Sequence, residues 1–177
     1  MTLPGKPLMK SRRVLLLLIA LAAVCGVFTY SCITASEVGM QNTITAAEAQ
    51  RLVEAYVHEA MTALPPQARL EKQYERISDC DQPTDHGPRG RVGASIGYWI
   101  RDLPKDQNQT YLNAALQYWT QHGWKLLTDS RPGYNYIWVE KISDGFRMSI
   151  TANINGDLNI GTDSPCVWPN GTPEPKP

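Results

Sequence analysis

The first pattern along the chain is a long uninterrupted hydrophobic run near its start. Residues 14–30, VLLLLIALAAVCGVFTY, carry no charge, and four basic residues precede them: Lys6, Lys10, Arg12 and Arg13. A run without a polar face does not suit a soluble amphipathic helix, and its basic flank favours the cytoplasmic side of a membrane. We therefore expect residues 1–31 to be a signal peptide or membrane anchor.

Three fates are open for this segment. Ser31-Cys32 places a small residue before a cysteine at the end of the run, as in bacterial lipoprotein signals, which are cut before a cysteine that receives acyl chains. Cys32 is therefore the candidate lipidation site. Alternatively, the run stays as a membrane helix, or it is cleaved after the weak site Ile33-Thr34-Ala35. We expect anchoring at the extracytoplasmic face of the cell membrane, with full secretion as the alternative.

Apolar residues return at helical spacing after a small, polar tether at residues 32–44. The sequence TAAE at 45–48 has the form of a capping box, and Pro65-Pro66 stops the helix that follows. A second helix lies between a capping box at Asp106 and Gln109 and a C-cap at Gly123. The apolar stripes of the two helices contain Ala49, Leu52, Val53, Tyr56, Val57, Ala60, Met61 and Leu64, then Tyr111, Leu112, Ala115, Leu116 and Trp119.

The remaining pattern predicts six strands. Residues 69–79 form a mostly polar strand, and Val92–Ile100 alternates as a half-buried one. Four short strands follow at 124–129, 135–142, 146–153 and 157–162, joined at Pro132-Gly133, Asp144-Gly145 and Asn155-Gly156, of which the last two are strong hairpin signals. The order αββαββββ predicts an α+β two-layer sandwich over residues 45–166, with two helices on one face of a mostly antiparallel sheet. Prolines predict a disordered tail over residues 167–177.

Cysteine positions constrain this fold. Cys25 lies in the hydrophobic run and Cys32 at its boundary, so two cysteines, Cys80 and Cys166, remain for the domain. Their parity in an oxidising compartment favours a Cys80–Cys166 disulfide, with two separate buried thiols as the alternative. The predicted strand directions make the first and last strands parallel, and both end at a cysteine. We therefore expect these two strands side by side at the sheet centre.

Charge excludes one class of partner. Four of the 17 basic residues precede the hydrophobic run, so 13 remain against 17 acidic residues and the exported part has a formal net charge of −4. An acidic domain does not attract phosphate backbones, so we do not expect nucleic acid as a partner. The cysteines and histidines lack metal-ligand spacing, and we expect no metal or cofactor.

Two sites merit attention. Residues 93–97, GASIG, fit the G-x-S-x-G nucleophile motif, which requires a sharp strand-to-helix turn at the serine; here Ser95 lies on the outward phase of an alternating strand. A small secreted hydrolase using Ser95 is therefore an alternative function, and no catalytic residue is assigned. Trp99 alternates away from the apolar positions of the same strand and is the best candidate for contact with a partner.

The layout also resembles a known group. The motifs are a strand ending in DC at 79–80, a helix ending in HGW at 122–124, hairpins with DGF at 144–146 and NGD at 155–157, and a closing SPCVWPNGTP at 164–173. Together they resemble the small envelope lipoproteins of actinobacteria, including the LppA-like mycobacterial group. This resemblance implies an envelope location, a paired Cys80 and Cys166, and a non-enzymatic role.

These observations lead us to expect an envelope-anchored binding or structural protein. It would meet an envelope partner or ligand through its sheet face or its aromatic residues. A carrier of lipid or another apolar ligand, held between helices and sheet, is a further alternative to the hydrolase.

Overall fold

A computed structural model of the chain describes residues 41–80 and 88–173. The predicted signal or anchor and the candidate lipidation site Cys32 lie outside the described residues. Neither described helix combines the length and the apolar character that crossing a bilayer requires.

Two helices and a six-stranded sheet make up the described domain. The helices are α1 (Ala46–Met61) and α2 (Asn108–Gln121), the second preceded by a 3₁₀ turn at Lys105–Gln107. The strands are β1 (Arg69–Asp79), β2 (Val92–Arg101), β3 (Trp124–Asp129), β4 (Tyr136–Lys141), β5 (Arg147–Ala152) and β6 (Leu158–Asp163). The predicted α+β class and order of elements are confirmed.

Helix α1 begins where its capping signal predicts. The Thr45 hydroxyl accepts a hydrogen bond from the Glu48 backbone N–H at 3.1 Å, which satisfies one of the free donors at the helix start. The residues on its buried stripe are Ala49, Val53, Val57 and Ala60.

Helix α2 differs from the prediction at its start. Asp106 lies inside the 3₁₀ turn, and Gln107, at the N-cap, makes no capping side-chain hydrogen bond. Asn108 instead donates from Nδ2 to the Gly156 carbonyl at 3.0 Å, which ties the start of the helix to the β5–β6 turn. At the other end Gly123 has φ +78°, as the predicted C-cap requires.

The hairpin turns are correctly located but differ in type. Gly145 and Gly156 have positive φ, whereas Asp144 and Asn155 do not. A two-residue turn with positive φ at both positions is therefore absent from these two connections. Instead, Asn153 Oδ1 accepts from the backbone N–H groups of Asn155 and Asp157, both at 2.9 Å, and shapes a longer turn.

The sheet is antiparallel throughout, in the order β1-β2-β6-β5-β4-β3. Strands β1 and β6 point the same way, as predicted, but β2 lies between them, so the prediction that they are neighbours is wrong. The physical reason is the charge on β1. Lys72 and Glu75 lie on its helix-facing side, where a central strand needs apolar residues, and charged strands belong at sheet edges.

The predicted disulfide is confirmed and spans the start of β2. Beyond β6 the chain continues along β2, with Val167 paired to Val92, while the Cys80 N–H donates to the Arg91 carbonyl at 3.0 Å on the other side of β2. Cys80 and Cys166 are bonded, with their Cα atoms 5.7 Å apart. The bridge therefore joins two segments that flank the same strand.

The space between helices and sheet is filled by large side chains. Trp119 is fully buried, as expected for a ring packed on the sheet, and its Nε1 donates to Met148 Sδ at 3.2 Å. Phe146 is also buried, and Tyr56 of α1 packs edge-on against it with ring centroids 5.2 Å apart. This layer carries the main hydrophobic stabilisation of the domain.

The folded domain is longer than the predicted 45–166. Val167 and Trp168 are buried, so the expected disordered tail does not begin at 167. The Thr43 N–H donates to the Gly171 carbonyl at 2.8 Å, and the Trp168 N–H donates to Thr43 Oγ1 at 2.8 Å. We call this pairing of residues 43–46 with 168–171 the terminal clasp.

Candidate functional site

Both helices cover one face of the sheet, and the other face presents its own side chains. Strand alternation places Ile96, Ile150 and Ile160 toward the helices, so their sequence neighbours point to the opposite, open face. Because strand register is known, the open face can be read as rows that cross all six strands. Three consecutive rows differ sharply in chemistry.

The row nearest the disulfide is charged. The strand register aligns Ser95 on β2 with Arg76 on β1 and Asp163 on β6, and the row continues across β5 and β4 to β3. From β1 to β3 it contains Arg76, Ser95, Asp163, Arg147, Glu140 and Lys125. Arg147 and Lys125 pair with Glu140 at 2.9 and 2.6 Å. Their hydrogen bonds hold the pKa of Glu140 below its usual value, and the bond from Lys125 has the larger effect.

The middle row has rings near its ends and small residues between them. From β1 to β3 it contains Tyr74, Gly97, Gly161, Ser149, Trp138 and Thr128. Tyr74 is 36% exposed and its ring lies over Gly97, where an added Cβ would meet ring atom Cε1 at 2.3 Å. The same ring extends toward Gly161, whose added Cβ would lie 3.4 Å from the Tyr74 hydroxyl.

The third row repeats this arrangement with polar residues between its rings. Trp99 on β2 aligns with Asn159, Thr151 and then Tyr136 on β4. We define the aromatic strip as four rings, Tyr74, Trp99, Tyr136 and Trp138, with the floor residues Ser149, Thr151, Asn159 and Gly161 between them. The strip follows β6 and β5, the two strands between its flanking rings.

Three aromatic rings on the open face each have the guanidinium group of an arginine lying over them. Arg76 lies over Tyr74 at 5.0 Å, Arg101 over Trp99 at 5.1 Å and Arg147 over Trp138 at 5.3 Å, each from Cζ to ring centroid. Such cation–π contacts are attractive and favour this relative placement of ring and guanidinium. The open face therefore presents three ring–arginine pairs.

A carboxylate belongs to the same surface. Asp163 is exposed and accepts a hydrogen bond from Ser95 Oγ at 2.7 Å. Burial, and then the negative charge of Asp163, raise the pKa values of Tyr74 and Tyr136. Both phenols therefore stay protonated near neutral pH and keep an O–H group that can donate.

Ser95 does not occupy a nucleophile elbow. It lies within the continuous strand β2 and is buried against its strand neighbours, whereas the hydrolase motif needs a turn into a helix. Its hydroxyl hydrogen is directed to Asp163, and the described histidines His58 and His122 belong to the helical layer.

Trp99 lies on the open face, as its alternation predicts, and is half-buried. Sequence reasoning did not single out its companions Tyr136 and Trp138, although both alternate with the buried Ile137 and Val139 and carry the same signal. Tyr74 was hidden by a bulge between Lys72 and Tyr74, which changes the alternation along β1.

Two other features have simpler explanations. A shallow surface pocket at the far end of the sheet contains Arg101, Lys105 and Asp157, and both cations pair with Asp157, at 3.7 and 2.8 Å. These charges satisfy one another. Among residues 41–80 and 88–173, His, Cys, Asp and Glu side chains form no group of three suited to a metal ion.

No family model fits the chain, and no curated protein is significantly similar to it.

Proposed function

We propose that this is an envelope-anchored, extracytoplasmic binding protein and that the aromatic strip is its binding surface. The observation that carries the proposal is the set of ring–arginine pairs on the face opposite the helices. Trp, Tyr and Arg are the residue types that dominate binding energy at recognition surfaces. On this face they lie together rather than scattered among lysines.

The proposed location has two supports. The Cys80–Cys166 bridge suits an oxidising compartment, because cytosolic reductants keep most thiols reduced. The uncharged run at residues 14–30 with its basic flank suits export and anchoring. Mass spectrometry of the intact, membrane-extracted chain tests this part. A chain that starts at Cys32 with acyl mass, or that remains uncut, supports anchoring; a soluble chain cleaved after Ala35 overturns it.

Binding accounts for the open face better than catalysis does. The hydrolase motif needs its serine exposed on a sharp turn from a strand into a helix. Ser95 instead lies buried within an uninterrupted strand. The face is a broad surface of rings and short polar groups, the composition expected of recognition.

Radical footprinting tests the binding surface even while the ligand is unidentified. The full-length protein in detergent is oxidised with and without solubilised envelope extract, and modification of each residue is read by mass spectrometry. We expect Trp99 and Trp138 to be protected severalfold, while Tyr134, 79% exposed in the β3–β4 loop, serves as the unprotected control. Equal oxidation of both tryptophans with and without extract overturns the proposal.

A further inference from the structure

We propose that the aromatic strip binds a glycan, with sugar rings stacked on Trp99, Tyr136 and Trp138 and sugar hydroxyls bonded to its floor. This inference rests on the proposed function and names the chemical class of the ligand. It depends on three features of the strip: the polar groups of its floor, the distance between its rings, and the fact that its central strands are already hydrogen-bonded on both sides.

The floor is polar and not fully used by the protein itself. Ser149 is half-buried, and its hydroxyl makes no hydrogen bond with another described residue. Thr151 donates to the Asn135 carbonyl at 2.9 Å but keeps acceptor capacity, and Asn159 donates to Gln73 at 2.7 Å while its Oδ1 can still accept. A ligand lying here must offer many donors and acceptors, as sugar hydroxyls do.

The rings lie on both sides of this floor. Trp99 on β2 and Tyr136 on β4 share one row and are separated by β6 and β5, which corresponds to about 14 Å between strand axes at the usual strand spacing. A sugar ring has C–H groups on its faces and hydroxyls on its edges. The C–H faces of a sugar can therefore pack on the aromatic rings while its hydroxyls hydrogen-bond to the short polar side chains between them.

The strand pairing disfavours a peptide. An extended peptide binds a sheet by adding to a free edge, but β6 and β5 are internal strands with both neighbours in place. An amphipathic helix would press an apolar stripe onto the floor and leave the Ser149 hydroxyl without a partner, together with the remaining acceptor capacity of Thr151 and Asn159. A glycan avoids both penalties.

One ring-bound arginine extends the same chemistry. Arg76 is held over Tyr74, and a guanidinium presents several N–H donors. Such donors suit hydroxyl and carboxylate oxygens of an acidic or neutral sugar. Among the residues that the structure describes, no carboxylate lies within salt-bridge distance of Arg76, whose guanidinium contacts the Tyr74 ring.

Calorimetric titration of the full-length protein tests the inference. The probes are hexasaccharides of β-1,4-N-acetylglucosamine, β-1,4-glucose and α-1,4-glucose. We expect at least one to bind, with affinity falling about tenfold in Trp99→Ala and in Trp138→Ala. The matched control is Tyr118→Ala, which removes a ring stacked on His122 in the helical layer and should leave affinity unchanged.

The outcomes separate this inference from the proposed function. If none of the saccharides binds, or if Tyr118→Ala weakens binding as much as Trp99→Ala does, the glycan inference fails. If envelope extract still protects Trp99 in the footprint and protease treatment of the extract abolishes that protection, the ligand is a protein. The strip then remains a binding surface, and only its ligand class is overturned.

Discussion

The ring of Tyr74 on β1 rests on the backbone of Gly97 on β2. A Cβ added at Gly97 would meet three ring atoms of Tyr74, at 2.3, 2.6 and 3.0 Å. The glycine therefore makes room for the ring, and the ring covers a strand position that has no side chain of its own. In this way an edge-strand residue becomes part of the aromatic strip.

Gly97→Ala should push Tyr74 off the sheet. We expect a loss of about 1–2 kcal/mol in the free energy of unfolding, because the ring must move or the strands must shift. Urea denaturation measures it. The loss should be smaller when Tyr74 is already alanine, so a double-mutant cycle should show coupling of about 1 kcal/mol. Gly133→Ala, whose Cβ would approach nothing closer than 3.6 Å, is the control; additive effects of the Gly97 and Tyr74 changes would contradict the contact.

Loss of the disulfide should be the most destabilising covalent change. Cys80 and Cys166 are 86 residues apart in sequence, and closing a loop of that size stabilises the fold by about 4.6 kcal/mol in the chain-entropy model. The double variant Cys80→Ser/Cys166→Ser should therefore unfold at a much lower urea concentration. Reductant should shift the wild-type midpoint toward the variant's and leave the variant unchanged. A wild-type urea midpoint that is unchanged by reductant under unfolding conditions would argue against the disulfide.

Thr162→Val should stabilise the protein. Thr162 on β6 is fully buried on the helix-facing side, and its hydroxyl has no partner among the described residues. An unsatisfied buried hydroxyl is unfavourable, so a methyl group in its place should add about 1 kcal/mol to the free energy of unfolding. The matched change Thr151→Val removes a hydroxyl that donates to Asn135 and should lower stability instead. Thermal denaturation of both variants checks the contrast, which fails if the two shift in the same direction.

The Asp129–Arg131 pair should make stability depend on pH. Hydrogen bonds from Arg131 hold the pKa of Asp129 below its usual value, and Arg131 also donates to Asn113 of α2 at 2.7 Å. A carboxylate with a lowered folded-state pKa stabilises the fold above its unfolded pKa of about 3.9, and this contribution is lost as pH falls through the folded value.

Asp129→Asn should accordingly lower the free energy of unfolding at pH 7 by about 1 kcal/mol. The difference in the free energy of unfolding between wild type and variant should shrink as the pH is lowered from about 4 to 2. Urea midpoints at several pH values measure it. Asp106→Asn in the 3₁₀ turn is the control. A gap that stays constant down to pH 2 would show that the ion pair does not carry the effect.

Local signals predicted the elements well. The capping residue Thr45, the turn glycines Gly145 and Gly156, and the parity of Cys80 and Cys166 each act over a few residues or through simple counting. None of them depends on how strands are ordered, so they could be interpreted before any tertiary contact was known.

The strand order needed information that alternation alone does not provide. Disulfide pairing suggested that β1 and β6 are neighbours, but Cys80 and Cys166 reach one another past the first residues of β2. The charges of Lys72 and Glu75 were the available evidence that β1 lies at an edge. Similarly, the prolines after Cys166 obscured the apolar pair Val167 and Trp168, which are buried.

The aromatic strip was predictable in part. Trp99 follows from strand alternation, and Tyr136 and Trp138 follow from the same rule. Tyr74 does not, because the bulge next to it shifts the phase of β1. The rows themselves emerge only from the register between strands that are distant in sequence, such as β2 and β6.

The terminal clasp has a practical consequence for engineering. Thr43 and Gly171 are hydrogen-bonded, so the two ends of the domain meet, and a short linker could join them while the chain is opened at the Asn155-Gly156 turn. Such a circular permutant would begin and end at the opposite end of the sheet, beside the row of Trp99. A tag fused after Gly171 in the natural order would instead lie at the terminal clasp, away from Trp99, which suits immobilised assays.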